Sequence, residues 1–372
     1  MWKVSRRQFL AATATTAASA LVVPFSWGQD NPEIQWHDVR DWGIEGKGWN
    51  DTEKYFDRLP QRAKGVVRDA VWNLSRHSAG MLARFKTDAS SIWVDYTVTS
   101  ANLAMPHMPA TGVSGVDLYA DDDDGQWKWL SVTRPNAQHM TTELISGIRP
   151  GARGYTMYLP LYNGTESLKV GIPAGASFEA IEPRMDKPIV FYGTSITHGA
   201  CASRPGMPHP AILGRRLDKP VINLGFSGNG RMEREVGQFL CELDPAVYVI
   251  DCLPNMTGPE VAERAAPLVA QLRKARPETP VVLVEDRTYA NTPFLPGREE
   301  RHSSSRAALK DAFEHHRQAG MKKLYYLEGE KLLGEDRDDT TDGSHPNDLG
   351  FLRHADAFEP VLREAISDHG SR

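Results

Sequence analysis

Two short stretches carry residues that could do chemistry together. Gly193-Thr194-Ser195 closes an apolar run, and Asp342-Gly343-Ser344-His345 precedes the last amphipathic stretch. A serine hydroxyl is a weak nucleophile until a base takes its proton, and the base works only when a third group orients it. Ser195 is therefore the candidate nucleophile, His345 the base, and Asp342 the acid that accepts from the second ring nitrogen. Acyl transfer also needs donors aimed at the oxygen of a tetrahedral intermediate. The backbone amides of Ser195 and Gly228 and the side-chain amide of Asn255 are the candidates. Taken alone, Ser195 is also a fair helix N-cap, and the Asp342/His345 pair is what favours the nucleophile. A phosphate loop would want a lysine after the glycine-rich turn, and none follows Ser195.

These residues need a scaffold that brings them to one edge. Five apolar runs, Pro188–Gly193, Pro220–Phe226, Ala246–Leu253, Pro280–Glu285 and Lys323–Leu327, alternate with amphipathic stretches near 207–217, 230–242, 259–276, 299–319 and 348–366. Continuous apolar strands between helices predict a parallel sheet covered on both faces, a three-layer α/β/α domain over 184–372. Functional groups gather at the carboxyl ends of such strands. The candidates above all fall there or just before the last helix. Residues 29–183 read differently. Ser91–Val98, Gly115–Ala120, Trp127–Val132, Gly154–Leu159 and Ser167–Gly171 alternate apolar and polar residues and are separated by turn signals. Many short strands at that spacing predict a jelly-roll-like β-sandwich.

At this point the chain resembles an SGNH (GDSL-type) hydrolase, with the motifs in the family's order. Gly193-Thr194-Ser195 stands where the family has Gly-Asp-Ser, Gly228 falls on the second-block glycine, and Asn255 on the third-block asparagine. Asp342-Gly-Ser-His345 is similar to the family's Asp-x-x-His. Gly115-Val116-Asp117-Leu118-Tyr119 resembles the Gly-x-Asp-Leu-Tyr signature of a sandwich found ahead of some SGNH domains. The resemblance implies a flavodoxin-like hydrolase domain, a Ser-His-Asp esterase and no cofactor. Two blocks depart from the family: Thr194 replaces its aspartate, and Leu253-Pro254-Asn255-Met256 replaces Gly-x-Asn-Asp.

Other residues define the setting. Ser5-Arg6-Arg7-Gln8-Phe9-Leu10 with the apolar stretch after it predicts a twin-arginine signal, cleaved after Gly28. That implies engagement of the twin-arginine export machinery, a periplasmic or secreted enzyme, and no lasting membrane association, since a spanning helix needs roughly 20 apolar residues. A net charge of −5, with 24% charged residues, supplies no basic face for nucleic acid. Three cysteines, Cys201, Cys241 and Cys252, argue against a disulfide framework but leave a Cys241–Cys252 bridge open. No cysteine has metal-ligand spacing, and the strand ends carry Ser, Gly and Asn where a metal phosphoesterase would need carboxylates and histidines.

Arg204, close after the nucleophile, is a candidate substrate contact. Trp36, Trp42 and Trp49 lie in a Gly/Asp-rich segment where an exposed ring could stack on a sugar. The loops expected to line the site are small and polar: Thr194, Thr197, His198, Ser203, Asn229, Arg231 and Asn347. The expected substrate is accordingly a short acyl ester, acetyl above all, on a small molecule or polysaccharide. A lipid or aryl esterase of the same mechanism and an inactive carbohydrate-binding protein are the alternatives.

Overall fold

The computed structural model describes residues 33–122 and 124–370. The segment expected to be an export signal lies outside the described residues. From Ile34 onward the chain forms one compact unit.

Its first half is antiparallel. The strands are β1 (Ile34–Asp38), β2 (Leu82–Thr87), β3 (Ser91–Val98), β4 (Asp117–Asp121), β5 (Trp127–Val132), β6 (His139–Ser146), β7 (Arg153–Tyr158), β8 (Thr165–Pro173) and β9 (Phe178–Ile181). They make a four-stranded sheet ordered β1-β8-β3-β6 and a five-stranded sheet ordered β5-β4-β7-β2-β9. Alternation aims one face of each sheet inward. Val94, Tyr96 and Val170 of the first and Phe85, Leu118 and Met157 of the second share one buried core. Two short helices, α1 (Asp69–Leu74) and α2 (Ala110–Val113), lie between strands.

The second half runs β10 (Ile189–Gly193), α3 (Ser195–His198), α4 (His209–Leu217), β11 (Val221–Gly225), α5 (Arg234–Leu240), β12 (Val247–Asp251), α6 (Gly258–Ala275), β13 (Val281–Val284), α7 (Pro296–Gln318), β14 (Leu324–Leu327) and α8 (Asp348–Gly370). All five strands are parallel and ordered β11-β10-β12-β13-β14. That is a flavodoxin-like order, which reverses direction at β10 and opens a crevice between the carboxyl ends of β10 and β12. Both faces are covered. Val190, Tyr192, Ile250 and Leu283 pack in the core that includes Phe239 of α5, Leu268 of α6 and Phe313 of α7. Ile189, Phe191, Val249 and Val282 pack with Leu213 of α4 and Phe358 of α8.

The segment between β1 and β2 closes the edge of this parallel sheet. Leu59, Val67, Val71 and Trp72 belong to the same core as α5 and α6. Arg58, 2% exposed, donates to the carbonyls of Asn223 at 3.0 Å and Gly225 at 2.8 Å. Both carbonyls lie on edge strand β11, whose unpaired backbone groups would otherwise be open to another strand. Burial lowers the Arg58 guanidinium to about 9.

This packing corrects part of the tryptophan expectation. Trp49 is buried, donates to Glu242 at 2.7 Å and meets Phe239 edge-on, so no face is free for a sugar. Trp42 is half-buried against Phe178. Trp36 alone of the three is exposed, at 36%. The three cysteines are free thiols.

Candidate active site

The turn after β10 presents Ser195. Thr194, in extended conformation, caps α3 by accepting from the Ile196 amide at 3.3 Å, which leaves Ser195 as the first helical residue. The local helix-cap role thus belongs to Thr194, the residue that departs from the family's aspartate. Ser195 Oγ lies 2.9 Å from His345 Nε2, and His345 Nδ1 lies 2.8 Å from Asp342 Oδ2. The other carboxylate oxygen accepts from the amides of His345 at 2.8 Å and Ser344 at 3.0 Å. Burial alone would raise the Asp342 carboxyl. The His345 amide, the His345 ring and the Ser344 amide outweigh burial and hold it at about 2. Asp342 is thus ionised whenever His345 is called on as a base, and it fixes the proton on Nδ1 so that Nε2 can accept from the serine. The His345 side chain is 26% exposed and that of Asp342 44%, so this side of the site faces solvent.

The crevice also gathers the expected donors. Gly228 sits in the left-handed region at φ +69°, and no hydrogen bond of its amide is found among the described residues. Gly230 packs on β10 so closely that a Cβ there would stand 2.0 Å from the Gly193 carbonyl oxygen. Only glycine permits that approach, and it sets the loop after β11 beside the nucleophile turn. Asn255 follows β12. Its surroundings are satisfied when Oδ1 faces the amides of Asn229 at 3.0 Å and Gly230 at 3.1 Å, which turns Nδ2 toward acceptors. The structure therefore brings Ser195, His345 and Asp342 into one hydrogen-bonded chain and stations the Gly228 and Asn255 loops alongside.

Arg204 is a correction. Its guanidinium donates to Asp117 Oδ2 at 3.1 Å and to the Tyr119 hydroxyl, and it stacks over the Trp129 ring at 4.9 Å. Asp117 is fully buried and accepts from the Gly206 amide at 2.8 Å as well. Arg204 is thus spent on joining the Gly-x-Asp-Leu-Tyr strand to the nucleophile loop. The expected polar lining is corrected in the same way. Thr197 and His198 are fully buried, Ser203 donates to Asp348, and Asn229 accepts from Arg68 at 2.8 Å.

Two residues absent from the sequence reading, Tyr162 and Arg287, support the site from behind. Tyr162, of the first half, donates to the Ser195 carbonyl at 3.3 Å and stacks on His198 at 4.1 Å between centroids. His198 Nε2 lies 2.8 Å from the Leu161 carbonyl oxygen. Arg287, fully buried after β13, donates through Nε to the Ser344 carbonyl at 2.9 Å and through the guanidinium to the Ser344 hydroxyl. It ties the base loop to the sheet. Cys201 is no rival nucleophile, because burial pushes its thiol up to about 11.

A parallel 2-1-3-4-5 sheet whose first strand ends in a serine bonded to a His–Asp pair has the architecture of an SGNH-type hydrolase. The comparisons agree. The model of the GDSL-like lipase/acylhydrolase family matches residues 186–363, and that of the GxDLY N-terminus of SGNH-hydro-type esterases matches residues 34–178. A protein from Bacteroides ovatus ATCC 8483 classed as a GDSL-like lipase is 31% identical over 90% of this chain and 98% of its own, with a TM-score of 0.85. The chain belongs to the GDSL-like lipase/acylhydrolase family. Salicylyl-acyltransferase SsfX3 from a tetracycline biosynthetic pathway shares the fold at 18% identity and a TM-score of 0.71, over 91% of this chain and 98% of its own. So does a family two carbohydrate esterase from Cellvibrio japonicus, at 12% identity and 0.59, over 90% and 99%. No curated protein matches the chain.

Proposed function

We propose that this chain is an exported serine esterase that removes short acyl groups, acetyl above all, from a carbohydrate. In this reading, residues 29–183 form a jelly-roll-like sandwich ahead of the hydrolase domain, and residues 1–28 are a twin-arginine signal. The observation that carries the reading is the chain of two short hydrogen bonds from Ser195 through His345 to Asp342.

The reaction runs in two halves. His345 Nε2 takes the Ser195 proton as Oγ bonds to the ester carbonyl carbon. The amides of Ser195 and Gly228 and the Asn255 side chain donate to the oxygen that becomes negative. His345 then protonates the departing alcohol, which leaves an acyl-serine. Water, deprotonated by the same ring, attacks that ester and releases the acid. Atoms balance with water as the only co-substrate.

Two observations support a large alcohol. The His345 side of the site is open to solvent, so the leaving group need not be enclosed. The fold is also that of a carbohydrate esterase. One feature favours a second reading. Phe294 and Leu295 are exposed at 82% and 41%, on a loop whose Ala290 amide donates to the Gly343 carbonyl at 3.0 Å. An apolar edge tied to the base loop suits a longer acyl or aryl group. Acetate release from an acetylated xylan, set against relative rates on p-nitrophenyl acetate and palmitate, separates the two. Faster palmitate hydrolysis with no glycan deacetylation gives the lipid reading.

A further inference from the structure

One exposed side chain from the first half stands over the catalytic histidine with nothing to do. Met105 and Met108 exchange backbone hydrogen bonds, each at 3.0 Å, around a two-residue turn of Pro106 and His107. Met108 is 2% exposed and packs in the core that holds Ile196 and Ala202, beside the nucleophile. Just beyond it, the Thr111 hydroxyl donates to the Ser203 carbonyl at 2.6 Å. Both anchors bind the turn to the loop that follows Ser195. His107, at the tip, is exposed, and no hydrogen bond of its ring is found among the described residues. Its ring centroid lies 6.1 Å from that of His345, with the planes 39° apart.

The direction of proton transfer says which part of a substrate would meet it. The proton that His345 takes from Ser195 must pass to the leaving oxygen, so the alcohol departs within hydrogen-bond reach of Nε2. The carbonyl oxygen is committed to the donors at Ser195, Gly228 and Asn255. A group beside His345 therefore faces the alcohol rather than the acyl chain. A neutral imidazole offers one donor and one acceptor, a match for a hydroxyl next to the esterified one. We infer that His107 is a specificity residue that contacts the alcohol and favours esters of polyhydroxylated alcohols. The inference rests on the hydrolytic reading of Ser195, His345 and Asp342.

The test compares two acetates that share one acetyl-enzyme, a monoacetylated methyl xyloside and cyclohexyl acetate. For each, kcat/KM is measured in the wild type, His107→Ala and His107→Gln. The expected result is a wild-type preference for the xyloside that falls by about tenfold in His107→Ala. Glutamine, which keeps a donor and an acceptor, should restore part of it. A ratio unchanged in His107→Ala, whether both rates fall together or neither falls, overturns the inference. So does a wild type with no preference for the xyloside. Ser195→Ala run alongside separates the two readings. Full activity there refutes the triad, whereas an inactive Ser195→Ala with an unchanged ratio refutes only the role of His107.

Discussion

Tyr162 donates its hydroxyl to the carbonyl oxygen of Ser195 at 3.3 Å, so a residue from the antiparallel half braces the nucleophile turn. A net hydrogen bond contributes about 1 kcal/mol, and here it is paid into the geometry of the reacting residue. Tyr162→Phe keeps the stack on His198 and removes the hydroxyl, with its bond to the Ser195 carbonyl and its interaction with the Ser227 side chain. We expect kcat to fall roughly fivefold with KM little changed. A rise in KM at constant kcat would mean that Tyr162 binds substrate instead.

The three catalytic candidates should behave as one unit. Ser195→Ala and His345→Ala should each abolish nearly all esterase turnover, Asp342→Asn somewhat less, and the Ser195→Ala/His345→Ala double variant should be no worse than either single one. Steady-state hydrolysis of p-nitrophenyl acetate reads this out. Wild-type turnover by Ser195→Ala would remove the basis of the assignment.

Asn255→Ala should lower kcat by roughly 10²–10³, the usual loss for one oxyanion donor, with a smaller effect on KM. Its thermal stability should also drop slightly, because the Asn229 and Gly230 amides keep only their bonds to the Phe226 carbonyl. A variant that loses stability but keeps its kcat would reduce Asn255 to a loop tie.

Arg287 and Asp286 form an ion pair whose side chains are 2% and 1% exposed. Arg287→Met strands a buried carboxylate and should cost about 3–5 kcal/mol. Asp286→Leu added to it should recover much of that loss. Denaturant unfolding of the single and double variants measures both numbers, and a double variant as unstable as the single one contradicts the pairing argument.

Asp251 ends β12, accepts from the Thr197 hydroxyl at 3.0 Å and is pushed by burial up to about 7 from 3.8. The folded chain keeps a proton on it that the unfolded chain gives up over that range. This group's stabilising contribution is therefore complete at low pH, falls as pH rises through the unfolded value, and is fully lost above the folded one. The upper bound of the loss is about 4 kcal/mol. Asp251→Asn cannot ionise, so its stability should improve relative to wild type between about pH 4 and about pH 8. Melting curves across that range that stay parallel would disprove it.

The reach of the sequence follows from the range of the forces involved. All five apolar runs became parallel strands; four are buried along their whole length, as strands covered on both faces must be, while the edge strand β14 leaves Tyr325 and Tyr326 half-buried. The alternating run at Ser91–Val98 became a strand with every second residue buried, whereas Trp127–Val132 is a strand with no buried residue, held by its pairing with β4. His139–Ser146 was missed because it is mostly exposed and polar, with Leu144 its one buried residue. Residues 39–80 were unreadable for another reason: Leu59, Val67 and Trp72 follow no period and are fixed by contacts with α5 and α6 far along the chain. Charged residues misled most. Arg204 looked free for a substrate because Asp117, its partner, is 87 residues away. Nothing local marks Arg58 as buried, since it is held by carbonyl groups supplied by other elements. Arg287 has a neighbour, Asp286, as its ion-pair partner, but its bonds to Ser344 come from 57 residues away. The grouping of Ser195, His345 and Asp342 was legible because it needs only residue types at strand and helix ends.

Ser195 and His345 lie 150 residues apart, one after the first parallel strand and the other before the final helix. At ordinary translation speeds the candidate nucleophile emerges roughly 8–30 s before the candidate base. On the proposed reading the nascent chain lacks its base throughout that interval, however far its sheets have formed. On that same reading, a fragment ending ahead of Asp342 lacks both the base and the carboxylate that orients it, and full turnover waits for the segment that carries them to dock.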